Sequence, residues 1–232
     1  MSHLHIPDGI LPVWLWAAGL VAALAVVLAA IYMQRGADFK RQIPLLGMMS
    51  AMMLIGMNLE IIPISYHVNL SVITGIILGP WLGVVAAFIV NIVLALVGHG
   101  GVTVIGLNTV VVGSEAVVGW LLYRVLRKFI SPFLAAGGST FVTLFLSTCL
   151  MLVIVAAANL DLGSEPLHGM RDVVESHMAD YLGPTLKFDS RFDFRFFATV
   201  ALVAGIVGWT IEALVTAVAV RFIDKVKPGL LK

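Results

Sequence analysis

A chain of 232 residues that is 60% hydrophobic and only 12% charged, with a mean hydropathy of +1.05, has lipid as its main solvent, because a soluble domain carries charge on about a quarter of its residues. The net charge of +1 gives no reason to expect nucleic acid as a partner. Its one cysteine, Cys149, lies in the apolar run LFLSTCLMLVIVAAA and excludes both an internal disulfide and a thiolate zinc site.

Apolar runs predict helices near 13–33, 43–59, 68–79, 81–97, 108–127, 133–158 and 195–223. The expected fold is an all-α integral membrane protein of about seven transmembrane helices, one domain over residues 1–232. The leader before the first run contains no Lys or Arg, and the run is too long for a signal-peptide core, so it reads as a retained helix. It carries Ala18, Ala22, Ala25 and Ala29 at near-four-residue spacing, which permits tight helix contact within the protein or with a partner subunit; packing within the protein is the plain expectation.

Basic residues set the orientation. Arg35, Lys40 and Arg41 follow the first helix, Arg124, Arg127 and Lys128 the fifth, and Arg221, Lys225, Lys227 and Lys232 the last. With seven spans all three clusters share one face, the cytoplasmic one, which puts the amino terminus outside and the carboxyl terminus in the cytoplasm. The outer face then holds residues 1–12, the loop from Glu60 to His67, the loop 98–107 and the polar segment 159–194. That last segment reads as an extracellular loop with one interfacial helix in MRDVVESHMADYL.

The third run is too short to cross a core of ~30 Å at 1.5 Å per residue. Part of the segment before it must dip into the protein, which puts Tyr66, His67 and Asn69 below the outer surface. The loop GHGGVTVIGL at 98–107 is apolar and glycine-rich, and is expected to be tucked in. Glu60 is expected at the interface, and Glu115 and Glu212 are costly at membrane depth unless paired or protonated.

The amino terminus, MSHLHIPDGILP, then meets His67 and His99 on one side of the membrane. A terminal amine, a deprotonated amide and an imidazole form fused planar chelate rings, and one more imidazole completes four nitrogens. Planar nitrogen ligation suits Ni2+ and Cu2+ rather than zinc, calcium or magnesium. If Met1 is removed, Ser2 supplies the amine and His3 the amide and imidazole. If Met1 stays, Met1-Ser2-His3 offers an amine, two amides and an imidazole. The plain alternatives are a solvated His3 or His5, a hydrogen-bonded core His67 and a turn residue at His99. Asn58, Asn69, Asn91 and Asn108 either line a site or bridge helices; His168 and His177 are assigned nothing.

HIPDGILP, SYHVNLSVITGIILGPWLG and GHGGVTVIGLN resemble three signature stretches of the CbiM/NikM family, the substrate-binding membrane components of cobalt and nickel energy-coupling-factor (ECF) ABC transporters. The resemblance covers about residues 3–125. It implies seven helices with the amino terminus outside, and a metal held by the terminal amine, the adjacent amide and imidazole, and an imidazole that matches His67. The family's terminal histidine matches His5, yet Ser2, His3 and Leu4 intervene here, so either His3 chelates with His5 in support, or the start or the geometry differs. His99 stands where the family usually has an acidic residue, which gives it, with Asn69 and Asn108, a supporting or gating place.

The implied cargo is Ni2+ or Co2+, with no catalytic cofactor. Implied partners are a membrane coupling (T) subunit, two cytoplasmic ATPase subunits and a small accessory membrane component. The chain has no phosphate loop of the type G-x-x-x-x-G-K-[ST], and none of the H-E-x-x-H pairs a membrane metalloenzyme needs, so no enzyme is expected. The expected place is the cell membrane, in multiple passes. The rival readings are a binding component for an organic micronutrient such as a vitamin, and a structural membrane subunit without a ligand.

Overall fold

The computed structural model describes residues 12–34, 39–58, 60–61, 66–98, 101–161 and 194–231. Among these are seven helices: α1 (Val13–Met33), α2 (Phe39–Asn58), α3 (Ser71–Leu78), α4 (Pro80–Leu96), α5 (Ile105–Leu126), α6 (Pro132–Asp161) and α7 (Phe194–Val226), followed by a single 3-10 turn, Pro228–Leu230. Two two-residue strands, β1 (Glu60–Ile61) and β2 (Tyr66–His67), pair antiparallel between α2 and α3, with Glu60 opposite His67. The protein is an all-α integral membrane protein. Four helical stretches, Val13–Met33, Ile105–Leu126, Pro132–Ala156 and Ala201–Val226, are long and apolar enough to cross a membrane. At 17 residues, α4 extends about 26 Å.

The short third helix is a core element. Its eight residues are all buried, and they extend only about 12 Å. Glycines let it approach its neighbours. Gly75 lies against the backbone carbonyl of Ala116 on α5, Gly83 of α4 faces the Ala116 methyl, and Gly119 receives the side chain of Val72. Gly79, with φ of 86°, makes the left-handed turn between α3 and α4, and Pro80 opens α4 where a missing N–H costs nothing.

α1 packs through a stripe different from the one its alanines suggest. Gly19, Ala23, Val27 and Ala30 are the buried residues, whereas Ala18, Ala22, Ala25 and Ala29 all face outward. The expectation that this alanine stripe packs within the protein is therefore corrected. Both series repeat at helical spacing, and the inner one carries Gly19, which admits Leu107 of α5, while Leu20 meets Gly106 by its backbone. These contacts bring the first turns of α1 and α5 to the same end of the bundle. They also explain why α5 begins at Ile105 rather than near residue 108: the first turn is packed in place. Of loop 98–107, Gly101 and Val104 are buried and Val102 is exposed; residues 99–100 lie outside the described residues.

At the other end, Phe39, Leu45, Tyr123, Leu126, Ala135, Val220, Ile223 and Leu231 belong to one apolar cluster. Lys40, Arg124, Arg127, Lys128, Arg221, Lys225 and Lys227 gather at this end through helix alternation. Arg127 at the end of α5 pairs with Asp224 of α7 at 3.2 Å. Tyr123 and Trp120 lie under the guanidinium groups of Arg127 and Arg124.

Candidate metal centre

The segment that carries His67 is irregular backbone running into the middle of the bundle. Such backbone survives at membrane depth only where it is buried in protein or lines a water-filled cavity. After β2, the Val68 carbonyl rests against Gly56 of α2, in space that a side chain at position 56 would fill. Leu70 then takes the left-handed conformation, φ 59° and ψ 15°, which costs about 1 kcal/mol for a residue with a Cβ.

Two buried carboxylates hold this turn. Glu212 of α7 accepts the backbone N–H of Asn69 on one oxygen at 3.2 Å and that of Leu70 on the other at 3.1 Å. Glu115 of α5 accepts the Asn69 side-chain amide at 2.5 Å, the Ser71 hydroxyl at 2.6 Å and the Ser147 hydroxyl of α6 at 2.5 Å. Glu115 and Glu212 are both fully buried, near the middle of the spans Ile105–Leu126 and Ala201–Val226. Of the two alternatives, pairing or protonation, the structure gives both side chains hydrogen-bond partners, and these lie in the segment between His67 and α3, with Ser147 of α6 beside them. Hydrogen bonds to a carboxylate are about twice as strong as neutral ones.

Of the residues singled out by sequence, His67 is half-buried at the end of β2. Asn69 is fully buried at the centre of the carboxylate network, and its Oδ1 has no hydrogen-bond partner among the described residues. Asn108, nearly buried, sits in the first turn of α5, about 10 Å along the helix from Glu115. Met1, Ser2, His3, His5 and His99 lie outside the described residues, as does the segment 162–193 with its expected interfacial helix. Among the described residues no group of three or more His, Cys, Asp or Glu side chains could hold a metal ion. The structure thus brings His67, Asn69, Ser71, Glu115, Ser147 and Glu212 into one region. The last four were not assigned to a site from sequence, though an acidic residue inside a 20-residue apolar run is itself a signal of function.

The fold recurs in solved structures. A crystal structure described as a truncated transition metal transporter matches with a TM-score of 0.76 at 20% identity, covering 96% of this chain and 99% of that one. Another, described as a transition metal transporter, matches at 0.75 and 20% identity, covering 96% and 93%. A search of curated protein sequences returned no match. One family, CbiM, described as the cobalt uptake substrate-specific transmembrane region, matches residues 5–230. With nearly its whole length matched, the chain belongs to the CbiM family and is a multi-pass membrane component of metal uptake.

Proposed function

We propose that the protein is the substrate-binding membrane component of an ECF-type ABC importer for Ni2+ or Co2+. It captures the ion outside the cell through nitrogens of its amino-terminal segment (the terminal amine at Met1 or Ser2, and His3 or His5) and the imidazole of His67. Asn69, His99 and Asn108 support or gate that site. A membrane coupling subunit and two cytoplasmic ATPases then drive release inward. The amino terminus is outside, because the basic residues collect at the opposite end of the helices.

The observation that carries this reading is the seat of His67. It is a half-buried imidazole on a turn that packs against the last turn of α2, the end that helix alternation sets beside the start of α1. That is the end from which the amino-terminal residues can approach it. Imidazole and amine nitrogens are the donors that a borderline cation such as Ni2+ or Co2+ prefers.

Equilibrium dialysis of the purified full-length protein against Ni2+ and Co2+ tests it. Wild type binds one ion tightly, and His67→Ala and the double variant His3→Ala/His5→Ala each weaken binding by at least tenfold, as removal of a ligand demands. Tight binding that survives the loss of His3, His5 and His67 together would place the site elsewhere. Competition between the two ions in the same cell decides which is preferred.

A further inference from the structure

Glu212 lies on the last helix, far in sequence from His67, and belongs to no motif discussed above. Its carboxylate nonetheless takes two successive backbone N–H groups, those of Asn69 at 3.2 Å and Leu70 at 3.1 Å, one on each oxygen. These two N–H groups precede a helix whose first residue has no side-chain cap. In the middle of a membrane they would otherwise be stranded.

Two peptide planes bonded to one rigid carboxylate are fixed in depth and in rotation relative to α7. His67 is only two residues upstream, so its Cα lies within about 7 Å of that of Asn69. On its other side the backbone of His67 is paired with Glu60 in the hairpin. Between the two anchors the Val68 carbonyl is pressed against Gly56. The imidazole therefore hangs from a backbone held by a strand pair, by α2 and by α7.

We propose that Glu212 is a positioning residue for His67: by clamping the backbone of Asn69 and Leu70 it presets the depth and direction of the imidazole before the metal arrives. The proposal rests on His67 being a metal ligand. Metal ligands must be held to within roughly 0.5 Å of productive geometry, and loss of an outer partner typically weakens metal affinity by about 10–100-fold.

Glu212→Gln keeps the shape of the side chain but replaces one acceptor with an NH2 group that opposes an N–H. The test uses full-length protein in lipid nanodiscs with nickel chloride as the probe. The Kd for Ni2+ should rise by about 10–100-fold, and the visible absorption of the bound ion should move toward that of hydrated Ni2+. A purely fold-supporting glutamate would leave that band in place. A folded Glu212→Gln protein with wild-type affinity and an unchanged band overturns the role of Glu212. If the variant does not fold, hydrogen exchange on the wild type gives the answer. The amides of Asn69 and Leu70 should be protected without metal, and exchange within seconds until Ni2+ is added overturns the proposal. A wild type that binds no Ni2+, or a His67→Ala variant that binds as tightly as wild type, overturns the assignment of His67 and the clamp with it. Weakened His67→Ala beside an unaltered Glu212→Gln removes the clamp alone.

Discussion

Gly75 of α3 rests directly on the backbone carbonyl of Ala116 of α5, with no space between them for even a methyl group. Membrane helices gain little from hydrophobic burial against each other and depend on such close approach. α3 is only eight residues long, so it cannot give way at Gly75 without disturbing its neighbouring contacts, Val72 on Gly119 and Ser71 on Glu115. Gly75→Val should push α3 off α5, draw Ser71 away from Glu115 and destabilise the protein by about 2–3 kcal/mol. Thermal unfolding in detergent would register this as a fall of several degrees in Tm. An unchanged Tm would mean that the contact carries no stability.

Glu115 collects three donors from two different parts of the chain, so its loss is felt in three places. Glu115→Ala leaves the Asn69 amide and the hydroxyls of Ser71 and Ser147 without this acceptor. The expected cost is about 3 kcal/mol or more. Ser147→Ala removes one donor and should cost about 1–2 kcal/mol. Combining the two should cost less than the sum, because the second change removes a group the first has already orphaned. A double-mutant cycle read by thermal unfolding checks that coupling.

Arg127 and Asp224 join the same two helices at the basic end, but each is about one-third exposed. Solvent and salt screen such a pair, and its contribution should stay below about 1 kcal/mol. Asp224→Asn is therefore expected to shift the melting temperature by no more than a couple of degrees, and less still in high salt. A large shift would place this pair among the main stabilising contacts.

Trp209 sits one turn above Glu212 and is nearly inaccessible to solvent. Its ring meets Phe141 at 5.9 Å and Phe145 at 5.6 Å, both edge to face, and folds back over Gly205 at 2.5 Å from the position of an added Cβ. Trp209→Ala should cost about 3–5 kcal/mol. Gly205→Val should cost less, because the indole can be displaced toward lipid at the expense of its two ring contacts. Tryptophan fluorescence and melting of the two variants would rank them, and the reverse order would show that the indole is held in place.

Much of the architecture was legible in the sequence because lipid makes it so. Apolar run length fixed α1, α4 and α6 to within a few residues, since a span that leaves hydrocarbon uncovered or a loop that enters it is heavily penalised. The short third helix was legible for the same reason. The start of α3 was not: position 70 is a leucine, and no local rule places leucine in a left-handed turn. The Leu70 N–H in that conformation is taken by Glu212, 142 residues away. The stripe Ala18, Ala22, Ala25 and Ala29 did not reveal the inward face of α1, because small residues at helical spacing occur on both sides of that helix and Ala23 and Ala30, with Gly19, lie on the packed one. His67 and Asn69 were legible as a buried pair before a short helix, whereas the two carboxylates that hold their segment were visible only as charges in unexpected places.

The bond between Asn69 and Glu212 spans 143 positions of chain and ties an early part of the protein to its final helix. During synthesis six helices must enter the bilayer before the acceptor for these two amides exists. Until α7 is in place, the N–H groups of Asn69 and Leu70 lack this acceptor. Formation of this turn thus waits for α7, and a product that lacks α7 can make neither bond.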